Sequence, residues 1–147
     1  MQVSMNAVIE RLGRPGPAAA LLVGAGMSAD AGVPMATRDH PEIKSVVTLV
    51  AEHLFLRRNL RLPTHRDELD RWLAQAGLLQ EPTTLYSDAL ELIAPDNEGR
   101  QRYLEQFFSG RRPTASHEAI TKFVAAGLFR QTFTTNFDPL LERALLF

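Results

Sequence analysis

The chain has 147 residues, 45% of them apolar and 22% charged, which is neither a disordered nor a fibrous composition and is long enough to bury roughly two thirds of its unfolded surface around one core. Its 16 basic and 17 acidic residues leave a formal charge of -1, so it carries no electrostatic footprint for nucleic acid. Cysteine is absent, which excludes disulfides, thiolate zinc sites and a cysteine nucleophile and fits a reducing, cytoplasmic setting.

No apolar run reaches membrane-spanning length, and the N-terminus lacks a charged-then-apolar leader. Residues 6–12 read as a short amphipathic helix with Val8, Ile9 and Leu12 on one side, and residues 13–17 as a turn. Residues 18–23 are continuously apolar, which predicts a strand covered on both faces, as in a parallel sheet. The strand breaks at Gly24-Ala25-Gly26, and Ser28 is placed to cap a short helix over 28–31 that Gly32 and Pro34 end.

A strand turning sharply into a helix has a physical use. Glycines let the backbone bend and let a phosphate approach the amides, while the exposed N–H groups and the helix dipole favour negative charge. Gly24 and Gly26, with Ala29 as an accepted third member, complete the common dinucleotide fingerprint. That pattern is weak alone, and an ordinary strand-helix turn that binds nothing stays open. No Gly-Lys-Ser/Thr follows, which disfavours a triphosphate loop.

Between 41 and about 108 helical periodicity dominates. Ile43, Val46, Val47, Val50, Leu54 and Phe55 form one apolar stripe, and Leu69, Trp72, Leu73 and Ala76 a second, ended by Gly77. Leu85, Ala89, Leu92 and Ile93 form a third, ended by Pro95, and Tyr103, Leu104, Phe107 and Phe108 a fourth. Arg57, Arg58, Arg61 and Arg66 gather near a bend, either as a solvated face or as a contact for phosphate or a partner. A helix follows over 117–126, with Ile120, Phe123 and Val124 toward the core and Gly127 ending it. Residues 129–135 are rich in β-branched and aromatic side chains and predict a second strand. It ends in Asn136-Phe137-Asp138-Pro139, and a last helix begins at 140. The apolar end Leu145-Leu146-Phe147 suggests that the domain continues past this sequence.

Two strand ends therefore carry polar chemistry, and in open parallel sheets ligands bind beyond the carboxyl ends of neighbouring strands. Both segments are expected to face one cleft. An Asn amide both donates and accepts, which suits a ribose diol or an attacking water, and an Asp can accept from a carboxamide. Asn136 as a turn residue and Asp138 as the cap of the next helix remain alternatives.

These residues resemble a known family. Gly24-Ala25-Gly26-Met27-Ser28, followed by Ala31-Gly32-Val33-Pro34, looks like the sirtuin Gly-Ala-Gly-x-Ser and Gly-Ile-Pro signature. Thr134-Thr135-Asn136-Phe137-Asp138 is similar to the sirtuin Thr-Gln-Asn-Ile-Asp, and Pro113-Thr114-Ala115-Ser116-His117 to its Pro-x-x-x-His. The motifs occur in family order, from residue 18 to the end. The resemblance implies an α/β fold, a Rossmann-like parallel sheet of the DHS-like NAD/FAD-binding type. Residues 1–147 would form one domain, incomplete at its C-terminus, with a helical insert over about 41–110.

By the family pattern, Gly24, Ala25, Gly26 and Ser28 would hold the pyrophosphate of NAD, Asn136 would meet the nicotinamide ribose, and Asp138 would lie near the carboxamide. Asn136 and Asp138 would be the catalytic pair, and Gly32, Pro34, Arg38, Thr134 and Thr135 would complete the cofactor site. The departures are as specific. The four zinc-binding cysteines of protein-deacylating sirtuins are missing, so no zinc is expected. The family's Asp-Phe-Arg is here Met35-Ala36-Thr37-Arg38, with Arg38 one position late, and Thr135 replaces the Gln.

These departures favour the divergent sirtuin-like domains of prokaryotes, many of which resemble NAD-hydrolysing effectors of antiphage defence. The implied activity is nicotinamide release from NAD by part of a larger protein. A non-catalytic module sensing NAD or ADP-ribose, or an NAD-dependent deacylase or ADP-ribosyltransferase, are the alternatives. A homo-oligomer and a fused or associated sensor module are the implied partners. The family's catalytic His follows a third strand, beyond Phe147. Of the four histidines, His40 and His65 read as surface turn residues, His53 as helix surface, and His117 as a capping or packing residue.

Overall fold

A computed structural model describes residues 19–146. The predicted helix over 6–12, the turn over 13–17 and the first residue of the predicted strand, Ala18, lie outside these residues. The chain is mixed α/β, with two strands and several helices. β1 (Ala19–Val23) and β2 (Phe129–Thr134) pair in parallel. A parallel pair needs a long connection, and here that connection holds most of the helices.

From Ala20 opposite Gln131 the register runs without a break to Val23 opposite Thr134. Thr135 extends the ladder by donating its N–H to Val23 O at 3.0 Å. Both strands therefore end at the same level, and the chain leaves the sheet there twice, once through Gly24 and once through Asn136. The expected cover on both faces is not observed. Leu22 and Phe133 stand opposite each other and are 71% and 54% exposed. The alternation of side chains across a strand sends them to one face while Val23 is buried on the other.

The helix after β1, α1 (Gly26–Ala29), begins two residues earlier than expected. Ala25 is already helical, with φ -56° and ψ -24°, so Ser28 lies inside the helix and does not cap it. Its side chain is thereby freed for a tertiary contact. α1 ends in a turn in which Gly32 adopts φ +81°, and Ser28 O accepts from both Ala31 N–H and Val33 N–H.

α2 (Val46–Asn59) is the axis of the helical layer. Ser45 caps it, its hydroxyl accepting from Thr48 N–H at 3.2 Å. Asp39 reinforces this start by accepting from Ser45 N–H at 2.7 Å and from the Thr48 hydroxyl at 2.8 Å. One face of α2 meets α4 (Leu85–Ile93), where Val46, Val47, Val50, Ala89 and Leu90 are buried. α5 (Asn97–Phe108) adds Tyr103, Leu104 and Phe107 to that cluster. The other face meets α3 (Arg66–Ala76), where Ala51, Phe55, Leu69 and Leu73 pack together.

These follow the apolar stripes read from the sequence with four differences: Ile43 lies ahead of α2, Ala51 joins the buried residues, Ala76 is exposed, and in α4 Leu90 is buried whereas Leu92 is 39% exposed. Two of the four arginines near the bend are spent in local pairing. Arg66 bonds Asp39 and Asp70, and Arg61 bonds Glu68.

α6 (Ala115–Ala125) packs on β2, and α7 (Leu140–Leu145) packs on α6. Phe123, expected in the core, is 48% exposed; it lies edge-on to Phe129 at the sheet margin instead. The residue that α6 buries completely is His117. No described helix is long and apolar enough to cross a membrane.

Candidate functional site

The two strand ends meet through one hydrogen bond. Asn136 Nδ2 donates to Ser28 Oγ at 3.1 Å, joining the helix that follows β1 to the loop that follows β2. Ser28 is fully buried, and its position inside α1 aims its hydroxyl across the sheet end. Asn136 is held at its own backbone as well, since its N–H donates to Thr134 Oγ1 at 3.0 Å. Its remaining amide atom, Oδ1, is buried and has no hydrogen-bond partner. A buried carbonyl oxygen without a donor costs free energy that a bound donor would recover.

A third residue completes the arrangement. His117 Nε2 lies 3.4 Å from Ser28 Oγ, and its Nδ1 accepts the Thr114 N–H at 3.1 Å. A backbone N–H can only donate, so Nδ1 is unprotonated and the neutral ring carries its hydrogen on Nε2, facing Ser28. Burial holds the imidazole below its ordinary pKa, and the Asp138 carboxylate works in the opposite direction. The ring is a neutral spacer with both nitrogens engaged. This agrees with the capping and packing role read from its Pro-x-x-x-His position, and adds a contact to Ser28 that the sequence did not indicate.

Asp138 is buried, and its Oδ1 accepts the Leu140 N–H at 3.1 Å. The residue at the cap position of α7 is Pro139, so Asp138 does not occupy the cap itself but satisfies the first N–H of the helix from one residue further back, with the carboxylate also near enough to His117 to act on its protonation. Thr135 lies against the glycine loop, its hydroxyl 3.8 Å from where a Cβ on Gly24 would stand. Thr134 serves the Asn136 backbone, as described.

The glycines themselves carry a correction. Neither Gly24 nor Gly26 is among the described glycines with positive φ, so no tight bend demands them. A Cβ added to Gly26 would meet nothing within 4 Å. The protein's own atoms leave that space open, and Ala25 between the two glycines is ordinary helix.

Gly32 and Pro34 lie on a different surface. Both line a cleft of about 780 Å³ whose other walls come from residues 29–31 at the end of α1, residues 40–44, Leu49 of α2, the end of α5 and Arg111; its lining does not include Gly24, Gly26 or Asn136. Arg38 is exposed and joins no ion pair among the described residues. Of the expected set, the structure brings together Ser28, Thr134, Thr135, Asn136 and Asp138 beside Gly24; Gly32 and Pro34 stand apart with the cleft.

Sequence reasoning missed two residues here. Tyr86 of α4 stacks on Phe137, ring centroids 5.9 Å apart and planes 8° from parallel. Burial pushes its phenol up to about 12, and the hydroxyl has no partner. It follows Leu85 of the third apolar stripe but is not one of that stripe's residues, so the spacing did not single it out. Arg111, on the cleft wall, had no signal either.

Among the described residues no three His, Asp or Glu side chains gather as they would around a metal ion. No protein-family model matches the chain, and no curated protein matches it.

Proposed function

We propose that this chain is a divergent, zinc-less sirtuin-like domain that binds NAD or ADP-ribose at the ends of its parallel strands. In this reading the sheet is the start of a Rossmann-like sheet of the DHS-like type, and α2 to α5 are a helical insert. The observation that carries it is the Ser28–Asn136 hydrogen bond with Asn136 Oδ1 left buried and unpartnered. A ribose hydroxyl is the kind of donor that oxygen lacks. The open space over Gly26 lends support, since it is where a pyrophosphate would need to approach the amides.

The activity we assign is nicotinamide release from NAD, as the effector part of a larger bacterial protein, with antiphage defence as its setting. The bond broken is the one between the nicotinamide nitrogen and ribose C1′. The bonding pair leaves on nicotinamide, which becomes neutral, and a water oxygen takes its place while losing a proton. Asn136 would orient ribose or water, and Ser28 would fix the Asn136 amide.

One observation favours a second reading, binding without turnover. The imidazole nearest Asn136 has both nitrogens occupied, by Thr114 and Ser28, so it is not free to take the water's proton. Calorimetry with NAD and ADP-ribose, run beside a chromatographic assay for nicotinamide, separates the two. Hydrolysis predicts nicotinamide that Asn136→Ala abolishes; binding alone predicts heat without nicotinamide. Neither heat nor product with either ligand refutes the site. Nicotinamide release that requires an added acylated peptide would instead mark the deacylase alternative.

A further inference from the structure

The cleft beside α1 combines three chemistries in one space of about 780 Å³, a size within the range of small-molecule sites. Arg111 supplies the first. A Cβ built on Gly32 would stand 2.9 Å from its Nη1, 3.0 Å from its Cζ and 3.4 Å from its Nη2. The guanidinium plane therefore lies against the bare Cα of Gly32, a seat that only glycine leaves free. The Arg111 backbone is fixed from two sides: its N–H donates to Phe108 O at 3.1 Å, and its carbonyl accepts from Arg143 Nη1 at 3.3 Å.

Among the described residues Arg111 joins no ion pair, whereas Lys44, the other Lys or Arg of the lining, is bound to Glu52 at 2.7 Å. Arg111 is exposed, and its guanidinium, resting on Gly32, is an uncommitted fork of donors of the kind that matches phosphate or carboxylate oxygens in pairs. Asp30 and Glu42 supply the second chemistry. Two carboxylates oppose a ligand that is anionic throughout, but they accept well from sugar hydroxyls. Ile43 and Phe107 supply the third, an apolar wall suited to a flat ring.

We propose that this cleft binds a ribonucleoside phosphate, with Arg111 holding the phosphoryl oxygens, Asp30 and Glu42 the ribose, and the base lying along Ile43 and Phe107. The choice of a ribonucleotide rests on the dinucleotide reading above; the anion at Arg111 does not. The phosphoryl group can belong to the pyrophosphate of NAD or ADP-ribose, or to a separate mononucleotide.

The test is calorimetry on the full chain with AMP, ADP-ribose, adenosine and inorganic phosphate, for the wild type and for Arg111→Gln, Arg111→Lys and Asn136→Ala. Thermal unfolding confirms that the exposed-site variants are folded. AMP is expected to bind at least about tenfold more tightly than adenosine or inorganic phosphate, and Arg111→Gln to remove that advantage. Arg111→Lys keeps the charge but not the fork, and is expected to restore only part of it.

AMP affinity within about twofold of wild type in Arg111→Gln, or adenosine or phosphate binding as tightly as AMP, overturns the proposal. If Asn136→Ala weakens ADP-ribose and Arg111→Gln weakens neither ligand, the cleft fails and the dinucleotide reading survives. If AMP depends on Arg111 while Asn136→Ala changes nothing, the cleft stands and the dinucleotide reading fails. ADP-ribose weakened by both variants places the pyrophosphate at Arg111, and AMP alone weakened by Arg111→Gln places a separate nucleotide there.

Discussion

Replacing His117 tests the polar joint between the strand ends. His117→Leu keeps a buried side chain of comparable bulk but removes both nitrogens, so the Thr114 N–H loses its acceptor and Ser28 Oγ loses the Nε2 contact. A typical net hydrogen bond contributes about 1 kcal/mol, and a lost partner at a helix start costs about as much again. The sum is about 2 kcal/mol, which lowers the melting temperature by about 2–4 °C for each kcal/mol in a domain of this size.

The chemistry also fixes a pH signature. Burial depresses the His117 pKa in the folded state while Asp138 partly opposes it. The unfolded chain therefore takes up the proton first as the pH falls. The contribution of His117 is full above its unfolded pKa near 6.5 and is lost as the pH drops through the lower folded value. Urea denaturation of wild type and variant between about pH 8 and about pH 5 measures this. The two curves are expected to converge toward the acid end. A constant gap across the range, or a variant within about 0.5 kcal/mol of wild type at every pH, refutes the reasoning.

Three further substitutions separate the remaining forces. Gly32→Ala places a Cβ at φ +81° and against Arg111; denaturation should show a loss of about 1–2 kcal/mol, since the left-handed backbone is strained for any residue with a Cβ. Asn136→Ala removes one hydrogen bond but also an oxygen that has no partner, so its stability cost should stay below about 1 kcal/mol even where ligand binding is lost. A larger cost would make Asn136 a structural residue first. Tyr86→Phe deletes a buried hydroxyl without a partner while keeping the stack on Phe137, and chemical denaturation should find it equal to wild type or more stable by up to about 1 kcal/mol.

Much of the helical layer was legible because its apolar residues repeat at helical spacing and its ends carry Gly77 and Pro95. What periodicity could not resolve was which residue of a pair faces inward: Leu90 and Leu92 differ by two positions in a short helix, and only the approach of α2 decides between them. The glycine loop was legible as a loop but not in its mechanics. Ser28 looked like a cap because a hydroxyl after glycines usually is one; the helix began earlier, at Gly26, and turned that hydroxyl toward a residue 108 positions away. The seat of Arg111 on Gly32 joins residues far apart in the chain that share no local pattern, so nothing in the spacing of either pointed to the other.

The stack of Tyr86 on Phe137 links two parts of the molecule that share no hydrogen-bonded ladder. Phe137 sits between Asn136 and Asp138, so its ring is a lever on the peptide that carries both. A displacement of α4 that drags Tyr86 would turn that peptide, and a ligand that pins Asn136 would resist the motion.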